Sequence, residues 1–424
     1  MNIKSWWKWV KSLQAARKWF VILILIRPIV DNFYDLKKFS ALSSPLYIVG
    51  VLTPVFILMS LVSKKLPASK SSGSDLLMGG FSALLIFNCF VYYSMEFSVL
   101  ALGDTIKYLT PILLYYYCRR FIQSRTDLLG ILTTCLISCV FPFGLLIYEG
   151  IFNPIAVEYL TEGRGGGSRV RGGYGDIMNY AVYIVILFLS AGYFFLNNIY
   201  KKYPISFKFK TTHVIISLLL CFYGLTAIKQ VSTFAVCLAL FVLFLSHTLR
   251  NSKGIFFVLG ILLIIIPFFA KDIYVSQIDP LIHKEIAIAE GSASTDGALN
   301  GRMTRWEKYF EVWEQMPTIN HFIGVASSNH PWVDIMIGGG MHSDYVRLLF
   351  LTGIIGLFFY ILFLLSITIN YFRFELPEKF LTLGMVVSIL LWSVSTIPTM
   401  YAPVLYMVFS VFAYSVLPNN KIYR

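Results

Sequence analysis

The sequence predicts an all-α polytopic membrane protein of about twelve transmembrane helices. Three observations predict it. Of 424 residues, 57% are hydrophobic and only 13% charged, against about 25% charged in an ordinary soluble domain. The mean hydropathy is +0.71. Apolar runs recur along the whole chain, among them VIISLLLCFYGLTAI, FAVCLALFVLFLSHTL and GIFFVLGILLIIIPFF. Each is long enough, or nearly so, to cross a hydrocarbon core of about 30 Å.

The expected spans are 19–36, 45–62, 76–94, 99–117, 128–148 and 177–197, then 213–228, 231–248, 254–270, 345–370, 380–397 and 400–417. Asp104 and Lys107 fall inside the fourth. The pair at 213–248 also reads as one interrupted helix. Basic residues set the orientation. The start carries Lys4, Lys8, Lys11, Arg17 and Lys18, with Trp6, Trp7, Trp9 and Trp19 as interfacial anchors. Every second connection is then basic: Lys64, Lys65 and Lys70; Arg119, Arg120 and Arg125; Lys201, Lys202, Lys208 and Lys210; Arg250 and Lys253; Arg373 and Lys379; Lys421 and Arg424. That alternation puts both ends in the cytoplasm and supports an even number of spans. The first apolar stretch runs into Asp31 with no small-residue cleavage site, so it reads as a retained helix.

The chain divides accordingly. A basic cytoplasmic start (1–18) precedes helices one to five (19–148). An outside glycine–arginine loop (149–176) leads to helices six to nine (177–270). A large outside loop (271–344) has the length of a small subdomain, beyond a normal connection. Helices ten to twelve (345–417) and a cytoplasmic tail (418–424) complete it.

The net charge of +13 does not point to nucleic acid, because lysines and arginines at membrane-flanking loops are expected. Cys89, Cys118, Cys135, Cys139, Cys221 and Cys237 lie in or beside apolar segments, which argues against a disulfide framework.

Arginines on the outside run against the positive-inside rule. They cluster in the two long loops. The first holds EGRGGGSRVRGGYG, with Arg164, Arg169 and Arg171, closed by Asp176. Glycines let backbone N–H groups approach a ligand, and guanidinium forks bind phosphate oxygens in pairs. Two readings stand: an anion clamp at the outer surface, or a loop whose arginines touch lipid headgroups. It is not a Walker loop, since no Gly-Lys-Ser/Thr follows.

The second loop holds NGRMTRWEKYFEVWEQMP. Trp306, Phe310 and Trp313 at i, i+4, i+7 predict an apolar helical stripe, and Pro317 stops the helix. Arg302 and Arg305 in its first turns oppose the helix dipole. A bound anion would satisfy both; an amphipathic helix lying on the membrane is the competing reading. His342 and Asp344 then stand at the outer mouth of the tenth span, in MHSDYVRLLFLTGIIGL. Ser343 or Asp344 caps that helix. Histidine suits a general base, or is simply a polar residue at a helix end. His321, His330 and Asp334 lie near, with spacings that match no zinc signature. Within the membrane, Arg27 and Asp31 at i, i+4 are placed to pair. Lys229, at the turn between spans seven and eight, is a functional candidate by its depth.

These pieces resemble the O-antigen ligase/polymerase superfamily. GRMTRW at 301–306, IGV at 323–325, MHSDYVRLLFLTGIIGL at 341–357 and RPIVDNFYD at 27–35 carry the resemblance. It extends over most of the chain in its architecture of about twelve spans, a large loop before the last three, and a GT-C-like plan. Ile228-Lys229 stands where the family often has Ser-Arg, and Ser343 where asparagine is common.

The resemblance implies a bacterial inner-membrane glycosyltransferase with a periplasmic site. Its donor would be an oligosaccharide on undecaprenyl pyrophosphate. The acceptor would be a second lipid-linked repeat unit for an O-antigen or surface-polysaccharide polymerase, or lipid A-core for a ligase. It implies no metal or nucleotide cofactor, and as partners membrane lipids and a chain-length regulator. Arg164, Arg169, Arg171, Arg302, Arg305 and Lys229 would hold the pyrophosphate. His342 would take the acceptor proton, with Asp344 orienting or balancing it. A heavily aromatic, low-charge chain of this type leans to the polymerase. A transporter or flippase would place charges at the midplane on broken, repeated helices. A scaffold for lipid-linked glycans would bind without transfer.

Overall fold

The computed structural model describes residues 3–33, 36, 44–63, 66–67, 69–95, 99–152, 157–159, 168–170, 174, 176–200, 211–250, 274–275, 279–294, 302–324 and 341–418. Helix α1 (Ile3–Ser12) leads into α2 (Ala15–Asn32), α3 (Pro45–Val62), α4 (Gly73–Met95) and α5 (Val99–Phe121). Helices α6 (Arg125–Ser138) and α7 (Val140–Ile151) follow with Cys139 between them. After a short ribbon come α8 (Ile177–Tyr200), α9 (Thr211–Ile228) and α10 (Val231–Thr248). The second long loop holds α11 (Asp279–Ala289), α12 (Arg302–Gln315) and α13 (Thr318–Ile323). The chain closes with α14 (Asp344–Ile369), α15 (Leu376–Ser395) and α16 (Ala402–Ser415).

Eleven of the twelve expected spans therefore coincide with helices; the stretch 254–270 lies outside the described residues. Seven helical stretches are long and apolar enough to cross a membrane. Thr212–Ile228 and Ala402–Ser415 are apolar but shorter. The fifth expected span is the joined pair α6–α7, apolar over Arg125–Ile151.

Local sequence explains the starts. Asp75 takes the Ser72 amide and hydroxyl, each at 2.8 Å, and Ser72 Oγ accepts the Asp75 N–H at 3.3 Å. Ser124 and Asp127 repeat this reciprocal cap on α6. Helix α8 forms the middle of the bundle and is buried along most of its length. Against it pack α6, α9, α10, α15 and α16.

The two ends of the bundle differ chemically. At one end arginines pair with acids: Arg17 with Asp127 at 2.7 Å, Arg119 with Asp75 at 2.7 Å, and Arg125 with Glu378 at 2.9 Å. This is the end that the basic connections assign to the cytoplasm. A cavity of about 170 Å³ lined by Arg125, Asn197, Tyr200, Glu375 and Glu378 opens there. The opposite end carries Lys229, Asp344 and Tyr401 and is called the outer end below. Arg27 and Asp31 pair on α2 at 2.7 Å, as their i, i+4 spacing predicts.

The helical class holds, with one addition: the first long loop contains a short antiparallel ribbon of β1 (Val157–Tyr159) and β2 (Ser168–Val170), pairing Val157 with Val170, Glu158 with Arg169 and Tyr159 with Ser168. Val157, Tyr159 and Val170 are residue types that favour strands. One expectation needs correction: the stripe of α12 is turned. Tyr309 and Val312 are its buried residues, flanked by partly buried Trp306 and Trp313, while Phe310 is exposed. With tryptophans on either side, the face that packs lies between them.

Candidate active site

The outer end is built around the first turn of α14. Ser343 is its cap: its hydroxyl oxygen faces the Val346 N–H and its O–H donates to the Ser393 carbonyl at 2.9 Å. His342 directly precedes this cap and is exposed. Asp344 is fully buried. Its carboxylate accepts from Arg347 Nε at 3.0 Å and Nη2 at 2.7 Å, from the Thr399 hydroxyl at 2.7 Å and from the Thr399 N–H at 2.9 Å. Arg347 also donates to the Thr399 hydroxyl, and its guanidinium lies 5.7 Å from the Tyr108 ring centroid. Three of these donors converge on Oδ1 and one on Oδ2, so the carboxylate is engaged by Arg347 and Thr399, and its negative charge repels phosphate. Asp344, expected to orient or balance His342, forms a buried clasp with Arg347 and Thr399.

The turn that supplies Thr399 also reaches the foot of the glycine–arginine segment. Tyr401 donates its hydroxyl to Asp176. Asp176 caps α8 through the Met178 N–H at 2.9 Å. A phenol is protonated near neutral pH, so the Tyr401 hydroxyl is the donor in this bond. Tyr174 anchors the same foot by donating to the Pro28 carbonyl at 2.9 Å.

Lys229 sits between α9 and α10 with φ of 45°, the one positive φ at a non-glycine among the described residues. Its N–H closes on the Leu225 carbonyl at 3.2 Å, a left-handed helix end. Neighbouring Gln230 donates to Met178 Sδ at 2.8 Å. A chain of contacts thus runs from the Lys229 turn through Met178, Asp176, Tyr401 and Thr399 to Asp344. It places Lys229 and His342 at one end of the bundle.

Helix α12 joins them by packing. Tyr309, Val312 and Met316 meet Met341, Val346 and Phe350 in a small second core. Met341 is next to His342, so α12 lies alongside the start of α14. Arg302 opens α12 half-buried, and Arg305 is exposed one turn on. His321 is engaged elsewhere: its ring stacks on Trp313 at 4.9 Å and Nε2 is 2.6 Å from the Trp313 carbonyl oxygen. Among the described residues no three His, Cys, Asp or Glu side chains gather as metal ligands would. None of the six cysteines forms a disulfide, and all are buried.

Arg164, Arg171, His330 and Asp334 lie outside the described residues, as does the Arg169 side chain; the Arg169 backbone stands in β2, opposite Glu158. Strand β2 packs on α9, the helix that ends at Lys229. Sequence reasoning missed Arg347, Thr399 and Tyr401. Arg347 did carry a signal, an arginine inside an apolar span three residues after an aspartate. Nothing in the sequence pairs Thr399 or Tyr401 with residues so far upstream.

No curated protein matches the chain. Residues 213–361 match the family model Wzy_C, described as O-antigen ligase. That segment holds Lys229, Arg302, Arg305, His342, Asp344 and Arg347. Over that segment the chain is similar to the O-antigen ligase family, in line with the resemblance its motifs suggest.

Proposed function

We propose that the protein transfers a glycan from a polyprenyl-pyrophosphate-linked oligosaccharide to a sugar hydroxyl at the periplasmic face of the bacterial inner membrane. The acceptor in this reading is another lipid-linked repeat unit, so the product is a lengthened O-antigen or related surface polysaccharide. The observation that carries the proposal is one end of the bundle where Lys229, Arg302 and Arg305 lie on the elements around an exposed His342, all inside the family-matched segment.

The chemistry follows from charge. His342 removes the proton of the acceptor hydroxyl. The oxygen attacks the anomeric carbon from the face opposite the pyrophosphate, and the carbon–oxygen bond to phosphate breaks with inversion. The electron pair leaves on the pyrophosphate. Lys229, Arg302 and Arg305, with Arg164, Arg169 and Arg171, stabilise the charge that collects there. Asp344 contributes by fixing the start of α14 through Arg347 rather than by touching phosphate. The proton on His342 passes to water. No step calls for a metal or a nucleotide.

The description of the matching family favours a second reading, transfer of a finished glycan to lipid A-core. One experiment separates them. Purified protein in nanodiscs receives its native polyprenyl-pyrophosphate repeat unit with EDTA, with and without lipid A-core, beside His342→Ala and Arg302→Ala. A ladder of lengthened lipid-linked glycan, abolished by His342→Ala and reduced at least about a hundredfold by Arg302→Ala, is expected. Transfer that requires lipid A-core moves the assignment to the ligase. No transfer by folded protein with either acceptor overturns the enzyme and returns the transporter.

A further inference from the structure

The connection between α15 and α16, residues 396–401, has more work in it than a helix linker requires. On one side it holds the start of α14. The Thr396 carbonyl accepts the Asp344 N–H at 3.0 Å, and Thr399 gives both its N–H and its hydroxyl to the Asp344 carboxylate. Arg347 closes the clasp from one turn further along α14. On the other side Tyr401 reaches Asp176, the residue that ends the glycine–arginine segment and caps α8. Two remote parts of the chain, 225 and 55 residues away in sequence, meet on one six-residue turn. Capping α15 and α16 needs none of these side-chain bonds.

We propose that Thr399, Arg347 and Tyr401 are positioning residues, which hold His342 and the foot of the glycine–arginine segment in one register across this connector. The roles of His342 and of that segment rest on the function proposed above; the mechanical coupling does not. Thr399 and Arg347 fix where α14 begins, and so where the imidazole stands. Tyr401 fixes Asp176 and with it the foot of the segment at the start of α8. The connector thereby ties the start of α14 to the start of α8.

Two nearly isosteric variants test this, Tyr401→Phe and Thr399→Val. Each removes one hydroxyl from the side of the connector it serves. In glycan transfer, Tyr401→Phe should raise KM for the lipid-linked donor about fivefold and also lower kcat severalfold, because donor binding depends on the foot and the connector passes the loosening on to the start of α14. Thr399→Val should lower kcat about tenfold with KM little changed, and Thr399→Ser should restore it. Thermal midpoints within a few degrees of wild type show that folding is intact. Variants that keep wild-type kcat and KM, or lose both in proportion to unfolded protein, overturn the proposal.

A second arm needs no substrate. Amide exchange is followed at Met178 and Asn179 on one side and at Asp344–Arg347 on the other. Tyr401→Phe should speed exchange on both sides. Acceleration confined to α8 overturns the coupling, whatever the wild-type enzyme does. If wild type transfers no glycan while the exchange result holds, the proposed function has failed and the coupling stands.

Discussion

Lys229 carries the backbone strain of this site. A non-glycine at φ of 45° pays about 1–2 kcal/mol relative to an ordinary conformation. Glycine would hold that turn without the cost. A lysine kept there is consistent with a charge that the turn needs, at a helix C-terminus that a cation already suits. Two substitutions separate strain from charge. Lys229→Ala keeps the strain and loses the ammonium; Lys229→Gly loses both. The glycine variant should be about 1 kcal/mol more stable than the alanine variant, read as a thermal midpoint higher by about 1 °C in a chain of this length. Both should lose glycan transfer by at least about tenfold, equally, because both lack the cation. If the two variants melt together, the left-handed conformation is not maintained. If both keep full transfer, Lys229 does not hold the pyrophosphate.

At the scale of elements, α14 joins the second long loop to the membrane bundle. It is two helical pieces, about 14 Å of helix before Gly353 and about 24 Å after it. On the first piece Val346 and Phe350 pack on α12. The helix breaks at Gly353, with φ of 65°, and the end of α13 presses into the break. A Cβ on Gly353 would stand 2.2 Å from the Phe322 carbonyl oxygen, and one on Gly324 2.4 Å from the Thr352 nitrogen. The two backbones touch because neither glycine has a side chain. Asn88 of α4 completes the junction by donating to the Ile323 carbonyl at 2.6 Å. Gly353→Ala should therefore cost at least about 2 kcal/mol, from the left-handed conformation and the lost close approach together. Gly50→Ala is the control: a Cβ there meets nothing within 4 Å, and alanine in a helix interior should gain a few tenths to about 1 kcal/mol. Thermal unfolding of the purified protein in detergent reads both. A Gly353→Ala midpoint equal to wild type would mean that the contact between α13 and α14 does not hold the loop.

Across the whole molecule, legibility followed locality. Apolar runs fix helices because every backbone polar group in lipid must be satisfied within its own segment, so the expected spans and the helices coincide closely. The Arg27–Asp31 pair was readable because four residues make one turn. The Asp344–Arg347–Thr399 clasp and the Tyr401–Asp176 bond were not, because they depend on which helices become neighbours. The orientation of the bundle rests on basic residues alone and has a direct consequence for function: His342 must face the side where flipped, lipid-linked glycans arrive. Two exposed serines offer nearly isosteric probes, Ser12 at the end of α1 and Ser292 in the second long loop. The six native cysteines are buried and should give little background with a membrane-impermeant maleimide. In spheroplasts, Ser292→Cys should label at once. Ser12→Cys should label only after permeabilisation if, as the lysines of α1 and the basic connections predict, that end lies in the cytoplasm. The reverse pattern would turn the bundle over and place His342 in the cytoplasm. Glycan transfer at the periplasmic face would then be ruled out, whatever the purified protein did in a nanodisc, where both faces meet substrate.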